Sequence, residues 1–217
     1  MNIKHIILLI LIAVLCLLYS CLSIIPPGKI YANEVIPGHS YYGFTVKCPE
    51  KYYLWYWNRW WSDPNNTFIL HREIPENNNF SKHTFYIYAT LVEFKRHAES
   101  QEDFIELSKE YLTRIGNKKR FTLKHFEAKP SLRQGQWCVE YSSTIRDKRE
   151  EDSFVVDLIV KTKGFIMIHP GFDEPVCLNA YYSERGIPEQ LSAEYDEEGE
   201  AFLSGVKAVS SYSLVIK

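Results

Sequence analysis

From Tyr41 onward the apolar positions of this chain recur mainly at every second residue, the period of a strand, and switch to the 3.6-residue period of a helix in two places. Residues 41–47 read as a first strand, closed by Cys48-Pro49 because proline cannot extend a central ladder. The aromatic run 53–61 and residues 67–74 follow, separated by the turn-forming Ser62-Asp63-Pro64-Asn65-Asn66. Residues 85–94 are β-rich and bounded by charge, and 120–128, 136–145, 153–161, 164–169 and 178–185 supply the remaining strands. The charged residues 146–152 read as the solvated tip of a hairpin. The first helical stretch opens at Ser100, which can cap, with Glu102 and Asp103 in the first turn where the helix dipole favours acids. Phe104, Leu107, Tyr111, Leu112 and Ile115 then recur at helical spacing until Gly116 ends the run. The second runs from about Ser192, with Tyr195, Phe202, Leu203 and Val206 on one side and Glu194, Asp196, Glu197, Glu198 and Glu200 on the other. Strands interrupted by two separated helices predict an α+β fold: a mostly antiparallel β-sheet with two main helices packed on it, preceded by an N-terminal apolar helix.

Residues 6–25 carry no charge. Behind the short polar start of Lys4 and His5, this stretch contains Leu18-Tyr19-Ser20-Cys21, which resembles the bacterial lipoprotein signal, whose cysteine becomes the acylated first residue. Tyr19 departs from the small residue usual at its position. Two other outcomes fit the same residues. One is an uncleaved anchor helix, since about 20 apolar residues span a hydrocarbon core of about 30 Å. The other is cleavage after Ile30-Tyr31-Ala32, beyond the helix-breaking Pro26-Pro27-Gly28. All three deliver the chain from about Asn33 onward to the outside of the cytoplasm. The chain thus divides into a signal or apolar segment (1–20), a tether or linker (21–40) and a single globular domain (41–217). The expected address is the cell envelope, membrane-anchored and facing the periplasm or exterior, or secreted after a cut near Ala32.

An aromatic content of 15% favours aromatic-rich strands over a helical bundle. The net charge of −2 falls to −3 once residues 1–20, whose only charge is Lys4, are set aside, and no long basic cluster exists, which argues against nucleic acid. Cys16 lies in the apolar segment and Cys21 is the candidate lipid site, leaving Cys48, Cys138 and Cys177. In an oxidising compartment three cysteines suggest one pair and one thiol, with Cys138 and Cys177 the candidates for the disulfide; three buried reduced cysteines are the alternative.

Tyr182-Ser183-Glu184-Arg185-Gly186 and Glu198-Gly199-Glu200-Ala201-Phe202-Leu203 resemble the C-terminal stretch of uncharacterised bacterial secreted proteins, and the order of elements resembles the Mog1/PsbP-like α/β/α sandwich. The motif likeness covers about the last quarter of the folded part. It implies a scaffold that hosts binding and assembly factors more than enzymes, and it carries over no catalytic residue.

The aromatic run places Tyr53, Trp55, Trp57 and Trp61 on one side of a strand and Tyr52, Leu54, Tyr56 and Trp60 on the other. Trp55, Trp57, Trp60 and Trp61 are therefore a candidate binding surface that stacks on a ligand, or else a strand covered on both faces. Glu184 and Arg185 join them as a polar pair able to orient a ligand at a sheet end, or as a surface ion pair. No phosphate loop, dinucleotide loop or nucleophile elbow is present, no helical histidine pair suggests zinc, and no catalytic, metal or cofactor residue is assigned. His169 with Cys177 is a weak ligand spacing, read instead as an exposed loop histidine. The expectation is an exported, lipid-anchored, non-enzymatic binding or interaction module with an envelope partner or ligand. The alternative is an envelope enzyme whose site is assembled from His125, His169 and Glu184, which must then converge within about 4 Å.

Overall fold

The computed structural model describes residues 39–41, 43–47, 67–73, 83–151, 154–191 and 194–209. Cys21 and the apolar start, Cys48, and the aromatic run with Trp55, Trp57, Trp60 and Trp61 lie outside the described residues. The elements run β1 (His39–Tyr41), β2 (Phe44–Val46), β3 (Thr67–Glu73), β4 (Thr84–Glu93), α1 (Gln101–Leu112), β5 (Phe121–Arg133), β6 (Gln136–Glu151), β7 (Phe154–Ile168), β8 (Val176–Gly186), a 3-10 turn (Pro188–Gln190), α2 (Glu194–Gly205) and β9 (Lys207–Ala208). The fold is α+β. A six-stranded sheet has the order β3-β4-β8-β7-β6-β5 and a small one the order β1-β2-β9, with every pairing antiparallel.

Alternation along the strands gives the large sheet two faces. On one, Phe68, Phe85, Phe165 and Leu178 form a core with Phe202, Leu203 and Val206 of the α2 segment and with Phe44 and Val46 of the small sheet. On the other, Val139, Ile166 and Cys177 pack beneath Phe104 of α1. The Ser100 hydroxyl caps α1 by accepting the Asp103 N–H at 3.2 Å, as its position before the acidic turn predicts. The helix closes at Leu112, short of Gly116, and the Thr113 hydroxyl donates to the Lys109 carbonyl at 2.7 Å.

Four expectations change. The run 41–47 is two strands of a hairpin, because Gly43 takes φ +83° and turns the chain so that Tyr41 faces Phe44. Residues 153–161 and 164–169 belong largely to one strand, β7, held by β6 on one side and β8 on the other. β5 continues past Pro130, as an edge strand allows. Cys138 and Cys177 are not joined: both thiols are free and buried. Cys138 pairs in register with Met167 and Cys177 with Ile168, consecutive residues of the intervening strand β7, so the two thiols lie on opposite faces, two strand spacings of ~4.8 Å apart. Burial pushes the Cys138 thiol up to about 11 and the Cys177 thiol up to about 12.

The β5–β6 turn clasps the chain's last described elements. Gln134, at φ 50°, uses its side-chain amide as a short strand: Nε2 donates to the Ala208 carbonyl at 3.0 Å and Oε1 accepts the Ala208 N–H at 2.8 Å. Beside it Arg133 Nη1 donates at 3.0 Å to the Leu203 carbonyl at the end of α2, which also accepts the Val206 N–H at 3.4 Å.

Candidate functional site

Helix α1 is too short for the face it covers. Its 12 residues make about 18 Å of helix, whereas the 15 residues of β7 extend about 50 Å. Beyond Leu112 the same face continues in rows fixed by register. The first is Tyr88, Tyr181, Gly164, Tyr141; the second Tyr86, Ser183, Thr162, Ser143; the third Arg185, Val160, Ile145, with Asp147 one row further along β6. All of these but Gly164 and Ser183 join Tyr111 and Phe121 in lining a cleft of about 670 Å³, within the size range of small-molecule sites.

Tyrosine dominates its floor. The Tyr88 and Tyr181 rings lie 4.8 Å apart at 31°, and Tyr86 meets Tyr181 edge-on at 6.1 Å. Tyr141 donates its hydroxyl to Asn179 Oδ1 at 3.0 Å. Gly164 sits between Tyr141 and Tyr181 in register, and a Cβ there would stand 2.4 Å from the Ala180 carbonyl oxygen and 2.5 Å from Tyr181 Cβ, so only glycine lets the strands and rings approach so closely. Burial raises the hydroxyl pKa values of Tyr86, Tyr111, Tyr141 and Tyr181, which leaves these groups neutral at physiological pH.

At one end of the cleft, two guanidinium groups share one carboxylate. Asp147, its side chain 0% exposed, accepts from Arg120 Nε at 2.6 Å and Nη2 at 3.0 Å, and from Arg185 Nε at 2.7 Å. Burial pushes its carboxyl pKa up, but the hydrogen bonds and charges of the two arginines outweigh burial and hold it below the usual range. Asp147 is thus not at a solvated hairpin tip: β6 and β7 run on through the charged run, and alternation turns this one acid inward.

Glu184 and Arg185 do not form a joint site. As neighbours on one strand they face opposite ways: Arg185 enters the cleft, and Glu184 turns toward the α2 face, where Oε1 meets His83 Nε2 at 2.7 Å with both side chains buried. There a second cavity of about 380 Å³ is lined by Lys161, Lys163, Tyr182, Glu184, Leu191, Tyr195 and Asp196. The Tyr182 hydroxyl donates to Asp196 at 3.0 Å and to Glu200 at 3.2 Å, and Lys163 Nζ reaches Asp196 at 3.0 Å, so part of the acidic side of α2 packs on the sheet.

The three residues of the enzyme alternative do not converge. His125, Thr144, Lys161 and Glu184 follow one another across four strands, which puts His125 about 14 Å from Glu184 at three strand spacings. His169 lies eight residues beyond Lys161, past the end of β7. It is not an exposed loop histidine but buried, its Nε2 donating to the Gly43 carbonyl at 2.5 Å while Nδ1 accepts the Gly171 N–H at 3.0 Å. Burial lowers its pKa against the opposing effect of that carbonyl, so the neutral ring pins the β1–β2 hairpin to the sheet. Among the described residues, no group of three or more His, Cys, Asp or Glu side chains is placed to hold a metal ion. Compared with known proteins, the chain matches no family model and no curated sequence.

Proposed function

We propose that the protein is an exported, lipid-anchored envelope component that acts as a non-enzymatic binding module, taking a small organic ligand into the tyrosine-lined cleft beyond α1. The observation that carries this reading is that, among the described residues, α1 covers only part of its sheet face and leaves Tyr86, Tyr88 and Tyr181 lining a cleft that a flat ligand fills by stacking. Rings with polar tips hold an apolar body and orient it, and among the described residues the carboxylate that lines the cleft, Asp147, is engaged by two arginines. The lipobox-like Leu18-Tyr19-Ser20-Cys21 supports the address.

Naphthalene-2-methanol, titrated by calorimetry into the full-length protein in nonionic detergent against matched detergent blanks, tests the cleft. Saturable one-to-one binding is expected, weakened about fivefold by Tyr88→Ala through loss of a stacking contact of about 1 kcal/mol. Absence of saturable binding, or binding indifferent to Tyr88→Ala and Tyr181→Ala, overturns the reading. The address is tested separately by the intact mass of the membrane-extracted protein, which should correspond to a chain beginning at acylated Cys21.

A further inference from the structure

Resting on the cleft as a binding site, we infer that its natural ligand is an organic monoanion with a flat apolar body, whose oxyanion head is held by Arg185 at the Asp147 end. Arg120 and Arg185 bring two positive charges to a single carboxylate, which leaves one unit of positive charge at that end of the cleft. The other cation at its rim, Arg114, is already paired with Glu110 at 2.5 Å. The donors are also unevenly spent. Arg120 commits both Nε and Nη2 to Asp147, whereas Arg185 commits Nε. Its buried Nη2 is in ion-pair contact with Asp147 Oδ2 at 2.7 Å but outside hydrogen-bond geometry, and no other acceptor meets it among the described residues. A buried guanidinium nitrogen without an acceptor is costly, and an incoming oxyanion supplies one.

The rest of the lining selects the same chemistry. Asp147 has its oxygens occupied and Asn179 Oδ1 accepts from Tyr141, so at the Asp147 end a ligand meets guanidinium N–H groups, which only donate, and hydroxyls such as that of Ser143, which take either role. An oxyanion needs donors alone, which the guanidinium groups supply. Tyr86, Tyr88 and Tyr181 then flank the space beside the head with ring faces, which suits an aryl or other planar body. Asp147 acts here as a positioning residue, fixing both arginines so that the anion does not have to organise them.

The test compares naphthalene-2-sulfonate with naphthalene-2-methanol, which share the ring system and differ in the anionic head, each titrated by calorimetry into the full-length protein under matched conditions. The sulfonate should bind about tenfold or more tightly, the gain expected for a charge-assisted hydrogen bond in a desolvated site. Arg185→Gln should bring the ratio of the two affinities close to one by weakening the sulfonate far more than the alcohol. Should Arg185→Gln fail to fold, Arg120→Gln, at a side chain 40% exposed, removes the same net charge and should cut the ratio at least threefold. Equal binding of both probes by the unaltered protein overturns the inference and leaves the cleft reading standing; a preference that survives both substitutions overturns it too. Binding of neither probe removes the cleft reading and the inference together.

Discussion

Asp147→Ala should destabilise the protein by about 3–5 kcal/mol, the cost of breaking a buried ion pair from one side. The carboxylate is 0% exposed and accepts three charge-assisted hydrogen bonds, each worth roughly 1.5–3 kcal/mol when made to a charged group. Its loss does not fall equally on the two arginines. Arg120, 40% exposed, turns to solvent, whereas Arg185, 14% exposed, is left as a buried charge without its counterion. Arg120→Gln should therefore cost less than Asp147→Ala, because Arg185 still holds the carboxylate. In a chain of 217 residues each kcal/mol shifts the midpoint by about 2–4 °C, so thermal melts should place Asp147→Ala about 6–20 °C below the unaltered protein. The effect is pH-dependent in a fixed direction. Because folding lowers the Asp147 pKa, its contribution is fully present above the unfolded carboxylate value near about 4 and is lost as pH falls through the lower folded value. The gap between Asp147→Asn and the unaltered protein should accordingly be constant from neutral pH to about 5 and close below about 4. The double replacement Asp147→Leu with Arg185→Met, which removes both charges, should be less damaging than Asp147→Ala alone. Denaturant titration that puts Asp147→Ala within about 1 kcal/mol of the unaltered protein would refute the reasoning.

Cys138 and Cys177 should resist alkylation in the native state and react only after unfolding, since burial raises both thiol pKa values and withholds both sulfurs; intact mass after iodoacetamide, with and without denaturant, checks this. Gln134→Ala should cost about 1–3 kcal/mol by leaving the Ala208 amide and carbonyl without their partners, with faster hydrogen exchange at residues 207–208. Gly164→Ala should destabilise by at least about 1–3 kcal/mol, because the added methyl meets strand backbone that cannot yield; denaturant titration reads it directly.

Period alone made most of the architecture legible. β4 is the clearest case: Phe85, Ile87 and Ala89 alternate with Tyr86, Tyr88 and Thr90, and the structure sends the first set into the α2 core and Tyr86 and Tyr88 of the second into the cleft. That alternation was itself a site signal, since polar-tipped rings at every second position mark a face unlike an ordinary core. Turn chemistry was read less well. Gly43 falls within residues that read as one strand and is the corner of a hairpin, a distinction that rests on its positive φ and not on composition. The ionic end of the cleft was not legible. Asp147 sits in a run of charges that reads as solvent-facing, and its partners come from residues 27 and 38 positions away, which only strand order brings together. Glu184 and Arg185 fail as a pair for the converse reason: adjacency in a strand guarantees opposite faces, so a polar dipeptide there serves two sites.

The central claim is that ligand enters on the α1 face and not on the α2 face. Fluorine NMR of full-length protein labelled with 3-fluorotyrosine, with resonances assigned by single Tyr→Phe replacements and titrated with naphthalene-2-sulfonate, separates the two directly. The resonances of Tyr86, Tyr88 and Tyr181 should shift in step with saturation, while those of Tyr182 and Tyr195, which line the cavity on the opposite face, should stay in place. Shifts confined to Tyr182 and Tyr195, or none at a saturating concentration, would contradict the account.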